Sequence, residues 1–250
     1  MQNNLFCKKP FINLYKSKSF KSKISSQLLY GESFKVLKKR NKFLKIKTNY
    51  DNYVGYIKIS KFINKFRETH KVSVLKSRIF KNPNNLQKSK TNKFLTFSSK
   101  ISVTKKKNNF VMFENNKWIN AKDIKLINQI DKNILKILKL FLNCKYKWGG
   151  KTYNGIDCSA LIQLFYKFNN KFFPRDTVNQ IKFKKGSNKK RKYKLGDIIY
   201  WKGHVAVCIN AKELIHAYGP RKKVLIMNIN NTIKLIKKTA NLEVKKIFSI

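Results

Sequence analysis

The sequence predicts an α+β chain in which two small β-barrels precede a domain of helices followed by antiparallel strands. Three observations lead there. Short alternating apolar runs, separated by turn-forming segments, fill the front half. Near Asp131 the hydrophobic period becomes helical. After two helices, strand-like runs return.

Apolar residues make up 42% of the 250, with 19 Phe and 11 Tyr, enough to bury a core and unlike a disordered chain. Residues 1–25 are Lys/Ser-rich and are expected to be a loosely ordered arm. From Ser26, QLLYGESFKVLKK, KFLKIKT and YVGYIKIS read as the strands of a first barrel over 26–70. KVSVLKSRIF, KFLTFSSKISVTKKK and NFVMFENNKWINAKDI, broken at Lys81–Asn85, suggest a second over 71–127. The remaining domain, 128–250, opens on DKNILKILKLFLN, with Ile134, Leu135, Leu138, Phe141 and Leu142 at helical spacing. A glycine turn, KYKWGGKTYNG, leads to a second helix, DCSALIQLFYKFNN. The strands DIIYWK, HVAVCIN, ELIHAYG, KVLIMNI and LEVKKIFSI follow.

Lys and Arg number 58 against 11 acids, a formal charge of +47. The lysines are spread along a sequence that is also rich in Asn and Ile, as AT-rich coding produces, and no RNA-reading signature accompanies them. Non-specific adhesion to polyanions at low salt is expected, but no specific nucleic-acid partner. Four cysteines without a CxxC and three histidines suggest neither a zinc site nor a disulfide scaffold, so no metal is expected. Lysines break every apolar run of the N-terminus, and no stretch reaches the ~18 apolar residues of a membrane span. The expectation is a cytoplasmic protein with no signal peptide and no membrane span; nothing in the sequence sets an oligomeric state. Leu5-Phe6-Cys7 comes too early for a lipoprotein cleavage site, so Cys7 is read as incidental.

The chemistry centres on Gly155-Ile156-Asp157-Cys158-Ser159-Ala160-Leu161. Gly155 permits a tight turn, Asp157 is a good N-cap, and an apolar-periodic run begins directly after it. Cys158 then lies in the first turn of a helix. There the macrodipole and free N–H groups are expected to lower its pKa and to help hold an oxyanion. A Cys that merely packs at a helix start fits this segment equally well. The histidines decide between the two readings. His204 and His216 fall on neighbouring strands joined by a turn at Asn210-Ala211-Lys212. Alternation puts His204, Ala206 and Cys208 on one face. One imidazole is then placed to take the thiol proton while the other orients it, the logic of a triad. Gly203 lets backbone and substrate approach. His70 reads as a linker residue and Cys208 as a small strand hydrophobe.

At these residues the sequence resembles the NlpC family of papain-like peptidoglycan hydrolases. Tyr146-x-Trp148-Gly149-Gly150 matches its aromatic-glycine turn and Asp157-Cys158-Ser159 its helix start. Pro174-Arg175-Asp176 with Gln180, Leu195-Gly196-Asp197-Ile198, His204-Val205 and His216-Ala217 follow in family order. Ala160 and Ala206 stand where the family usually has Gly. The resemblance implies a papain-like catalytic domain with Cys158 as nucleophile, His204 as base and His216 as the polar third member. It also implies Tyr146 beside the scissile carbonyl and no metal or organic cofactor.

The front half resembles the bacterial SH3-like domains fused to a subset of this family, through Gln27–Glu32 and Asp51–Ile57. The region 71–127 agrees only in general strand pattern. That subset looks like γ-D-glutamyl-L-diamino acid endopeptidases, which cut cell-wall peptides carrying a free N-terminal L-Ala. By this resemblance Asp157, Ser159, Arg175 and Asp176 bind substrate, with Glu32 and Tyr53 from the first SH3-like domain. Asp157 also reads as a helix cap, and Glu32 and Tyr53 as ordinary strand-edge residues. The implied partner is a small muropeptide, in cytoplasmic recycling. The rival readings are hydrolysis of intact peptidoglycan by the same triad and a non-catalytic, peptide-binding SH3-like protein.

Overall fold

The computed structural model describes residues 4–189 and 192–250. It forms two compact units, Met1–Ile130 with Phe168–Asn170, and Asp131–Lys167 with Lys171–Ile250. Residues 1–3 of the expected arm lie outside the described residues.

In the first unit an antiparallel sheet of seven strands runs from Leu5–Cys7 to Phe62–Ile63. The rest of the expected arm is largely part of this sheet. Phe11–Tyr15 pairs with Ile24–Leu29, and Leu5–Cys7 pairs with Ser33–Arg40. The reason is a period-2 pattern hidden among lysines and serines: Ile12 and Leu14 point inward while Phe11, Asn13 and Tyr15 alternate with them. Cys7, Ile12 and Leu14 thereby join Leu28, Phe34, Ile46 and Ile57 in one core, so Cys7 is a packing residue.

A second strand group surrounds a core of Val72, Leu95, Ile101, Val111, Phe113 and Ile119. It comprises a five-stranded sheet built from residues 76–120 and a three-stranded sheet of Lys100–Ile101, His70–Val72 and Ile124–Leu126. His70 is a strand residue here, its Nδ1 2.9 Å from Thr69 Oγ1, and not part of a bare linker.

The second unit begins with α1 (Ile134–Lys139), capped by Asn133, whose side chain accepts the Lys136 N–H. The helical run expected through Leu142 stops earlier. Leu140–Asn143 continue as single turns, and Asn143 takes a left-handed conformation before its N–H reaches Val224 O. A short ladder, Lys151–Thr152 against Gly155–Ile156, carries the glycine turn. A Cβ at Gly150 would stand 2.4 Å from Gly155 O, so only glycine fits this crossing. The helices α2 (Cys158–Phe168) and α3 (Thr177–Gln180) follow.

Behind them stands an antiparallel sheet of β1 (Asp197–Trp201), β2 (His204–Cys208), β3 (Glu213–Tyr218), β4 (Lys223–Asn228) and β5 (Lys246–Ser249). Its order is β4-β3-β2-β1-β5. Between β4 and β5 lies α4 (Ile229–Ala240), an element the sequence reading did not assign. Its signal was present: Ile229, Thr232 and Ile236 recur at helical spacing and are buried. Ile229 and Ile236 pack against Ile199, Trp201, Ala206, Cys208 and Leu214 of the sheet. Lysines on the outer face had obscured the stripe. Among the described residues, no helix is long and apolar enough to cross a membrane.

The α4 start depends on Asn228, whose side chain accepts the Asn231 N–H at 3.0 Å. Asn228→Ala is expected to lower unfolding stability by about 1 kcal/mol in urea titration, with no change in slope.

Candidate active site

Cys158 opens α2 because Asp157 caps it: Asp157 Oδ1 accepts the Ala160 N–H at 2.9 Å. The same carboxylate holds four further groups. Its Oδ2 accepts the Gly149 N–H at 2.9 Å and Arg175 Nη2 at 2.7 Å. Its Oδ1 accepts Arg175 Nη1 at 3.0 Å and the Ser159 hydroxyl at 3.2 Å. Arg175 Nη1 also donates to Ser159 Oγ at 2.9 Å. Arg175 and Asp157 are both buried, so this forked pair satisfies two charges that neither could carry alone in the interior. Gln180 Nε2 donates to Ser159 O at 3.0 Å and Pro174 O at 2.8 Å, tying the Pro174–Asp176 loop to the helix start.

The two imidazoles meet as the hairpin predicted. With Val207 opposite Ile215 and Cys208 opposite Leu214, His216 lies diagonally across from His204, and His204 Nε2 sits 2.9 Å from His216 Nδ1. That leaves His204 Nδ1 as the ring nitrogen open to take a proton. His204 must then carry its hydrogen on Nε2 and donate to His216 Nδ1, and His216 carries its own on Nε2. There the Met227 sulfur lies at 3.3 Å and can accept it. The opposite proton arrangement would set a nitrogen lone pair against a sulfur lone pair. Met227 thus favours the tautomer in which the His204 Nδ1 lone pair can accept a proton.

Trp201, at 5.6 Å, and Tyr218, at 5.6 Å from His204 and stacked on His216 at 4.7 Å, complete an aromatic box. Sequence reasoning missed Met227, Trp201 and Tyr218 as parts of the site. Strand alternation was the available signal, since Tyr218 and His216 share a face and Met227 lies opposite Leu214.

Burial governs the electrostatics. The Cys158 thiol is pushed up to about 12, first by desolvation and then by the Asp157 charge. Backbone hydrogen bonds from Val205, the residue after His204, and from Ser159 act in the other direction, as does Arg175. This corrects the expected lowering at the helix start, because burial outweighs the amides. His204 is pulled down to about 4 by desolvation, and His216 to about 3 by desolvation and then by His204. Burial thus favours a neutral Cys158 thiol and a neutral His204 imidazole. Moving a proton between them leaves the net charge of the pair unchanged, whereas adding or removing one charges a buried site.

Tyr146 is held by its N–H to Lys222 O at 2.8 Å, and its ring packs on Gly219. Its phenol is driven upward by burial and then by Cys158 and Asp157, so it stays a hydrogen-bond donor beside the thiol. Asp157, Ser159 and Arg175 form one cluster, and Asp176, half-buried, follows directly. Asp157 accepts five hydrogen bonds, one of them the cap of α2. Glu32 and Tyr53 belong to the first unit. Glu32 is buried, and Tyr53 packs on that core with its hydroxyl 3.4 Å from Ser25 O. Their assignment to substrate rests on the family resemblance. Among the described residues, no three His, Cys, Asp or Glu side chains converge on a metal site.

A thiol at a helix start and a pair of imidazoles on an antiparallel sheet are the groups from which papain-like thiol hydrolases are built. Residues 143–240 match the profile of the NlpC/P60 family, and residues 14–62 that of the bacterial dipeptidyl-peptidase Sh3 domain. The chain therefore carries an NlpC/P60 domain preceded by a bacterial SH3 domain. Among curated proteins it is similar to the γ-D-glutamyl-L-lysine dipeptidyl-peptidase of Bacillus subtilis strain 168 (29% identity, 40% of this chain, 36% of that one). It is also similar to dipeptidyl-peptidase 6 of Lysinibacillus sphaericus (29%, 34% of this chain, 31% of that one) and to a probable endopeptidase NlpC homolog of Haemophilus influenzae (33%, 35% and 49%). The matches thus span a third to a half of those relatives' lengths. An NlpC/P60 family protein from Bacillus cereus ATCC 10987 shares the fold over 91% of this chain and 94% of that one, with a TM-score of 0.77 at 17% identity.

Two measurements test the site. Protonating or deprotonating the buried pair is disfavoured on both sides. The acid limb of kcat/KM should therefore lie well below the ordinary imidazole value of about 6.5, and the basic limb above the ordinary thiol value of about 8.5. A narrow bell centred near neutrality would contradict this. Met227→Leu keeps the packing and removes the sulfur acceptor. It should lower kcat roughly 5-fold with KM unchanged, the cost of about one weak hydrogen bond.

Proposed function

We propose that the chain is a cysteine peptidase of cell-wall peptides, cutting the γ-D-Glu–diamino acid bond of short muropeptides that carry a free N-terminal L-Ala. The observations that carry this reading are the 2.9 Å contact of the two imidazoles and the buried Cys158 thiol, which takes a backbone hydrogen bond from Val205, the residue after His204, in a chain with an SH3 domain of the dipeptidyl-peptidase kind. The second strand group, residues 70–126, is taken as a further SH3-like module.

The reaction follows from the site. Cys158 passes its proton to His204 Nδ1 as the sulfur attacks the γ-glutamyl carbonyl. Amides at the α2 start and the Tyr146 hydroxyl hold the oxyanion. The C–N bond breaks as His204 returns the proton to the departing amine, leaving a thioester on Cys158. Water then attacks, giving one proton to His204. The acid product leaves, and the thiol regains that proton. Asp176 is assigned to the substrate's α-ammonium, since Asp157 is already committed to Arg175 and the cap.

The tripeptide L-Ala-γ-D-Glu-diamino acid and its N-acetylated form separate the readings. Only the free amine should be hydrolysed, and Cys158→Ala should reduce the rate roughly 10⁴-fold or more. Equal cleavage of both, or of intact sacculi, would remove the free-amine requirement. No thiol-dependent cleavage would favour a peptide-binding role.

A further inference from the structure

The segments on either side of α3 carry an exposed aromatic pair. Phe172 and Phe183 are 50% and 37% exposed, and their ring centroids lie 6.1 Å apart. Single exposed apolar side chains are ordinary on a protein surface, but two side by side form a patch. The pair stands on a fixed base. Phe183 meets Phe173 edge-on at 4.8 Å, and Phe173, fully buried, stacks on Tyr166 at 4.2 Å. The backbone around Phe183 is tied to β5. Ser187 N–H donates to Ile247 O at 3.2 Å, Ile247 N–H to Ser187 O at 2.6 Å, and Lys246 Nζ to Ile181 O at 2.9 Å. The rings are thus held in place before anything binds them.

Cations frame the pair. Lys171 precedes Phe172, and Lys182, Lys184 and Lys185 flank Phe183, all four exposed. From residue 171 to 189 the single acid is Asp176, and it is half-buried. Lysines abound on this chain, so charge alone specifies nothing. The informative feature is the coincidence of charge with anchored, exposed rings. A dissolved polyanion attracts the lysines but leaves the rings in water. An anionic lipid surface suits both: the rings enter the boundary of headgroups and acyl chains, and the lysine stems lie along it with their ammoniums at the phosphates. We propose that the face bearing Phe172 and Phe183 is a peripheral docking surface for anionic phospholipid. Such docking is independent of which peptide bond the Cys158 site cuts.

Charge and rings are tested separately. The full chain is sedimented at physiological salt with vesicles of phosphatidylcholine alone, and with vesicles of equal parts phosphatidylcholine and phosphatidylglycerol. Binding is expected to the mixed vesicles only. Lys182→Gln, Lys184→Gln and Lys185→Gln together should weaken it roughly 100-fold, each lysine at the surface contributing about 5-fold. Removing the same number of charges from the exposed strand Lys105–Lys107, again by Gln, should cost roughly 2-fold or less. Equal losses from the two triple variants mean that overall charge alone attracts the lipid, and they overturn the proposal. So does a failure to bind mixed vesicles.

For the rings, Phe172→Trp keeps an aromatic side chain and adds a reporter. In mixed vesicles with brominated acyl chains, its added fluorescence should be quenched and shifted to the blue relative to the native chain. An unquenched indole overturns the proposal, whatever the other variants do. Phe172→Ser with Phe183→Ser should weaken vesicle binding roughly 10-fold. If that double variant instead loses affinity for oligothymidylate and keeps it for vesicles, the face takes single-stranded nucleic acid and the lipid assignment falls.

Discussion

The catalytic unit is organised around one buried ion pair. Asp157 sits at the point where the glycine turn becomes α2, and its carboxylate accepts from Gly149, Ala160, Ser159 and twice from Arg175. The glycine turn at Gly149 and the loop at Arg175 are thereby fixed, with the first turn of α2, to the residue before Cys158. A buried guanidinium-carboxylate fork adds little net stability compared with apolar packing, but it tolerates few alternative geometries. Its value here is positional. It sets where α2 begins and hence where the Cys158 sulfur stands, and its near-neutrality keeps a bare carboxylate charge from acting on the thiol unopposed.

The imidazole side is built differently, from hydrocarbon and sulfur. His204 and His216 lie among Trp201, Tyr218 and Met227, and among the described residues no carboxylate is hydrogen-bonded to either ring. A carboxylate in that place would stabilise an imidazolium. A second imidazole and a thioether stabilise a tautomer and leave the base neutral. The thiol and its base therefore exchange a proton within a pair of constant charge, and the low-dielectric surroundings that disfavour each ion alone interfere less with that exchange.

Much of this was legible in the sequence because motifs with tight backbone requirements carry it. Gly149-Gly150, Asp157-Cys158-Ser159 and the His204/His216 hairpin announced the glycine turn, the capped helix start at Cys158 and the meeting of the two imidazoles through turn, cap and alternation rules. The fold's misread portions were those in which lysine dilutes the pattern. Ile12 and Leu14 formed a strand within a basic stretch, and α4 hid its apolar stripe among Lys234, Lys237 and Lys238. The direction of the Cys158 shift was misjudged for another reason: position at a helix start is visible in sequence, whereas depth of burial is a property of the assembled core. For the same reason Arg175 was legible as a motif residue but not as the partner of Asp157.

The strand order has a consequence for biosynthesis. β1, the strand that leads into the His204 turn, pairs on its far side with β5, whose residues 246–249 are made last of the five. Cys158 and both imidazoles are thus synthesised before the strand that covers this flank of β1. Until then an unpaired backbone edge lies open beside Tyr200 and Ile198, a ready template for another nascent chain. Maturation of the hydrolase centre is therefore tied to arrival of this late strand, and a stalled chain would carry the reactive groups on an unfinished, sticky sheet.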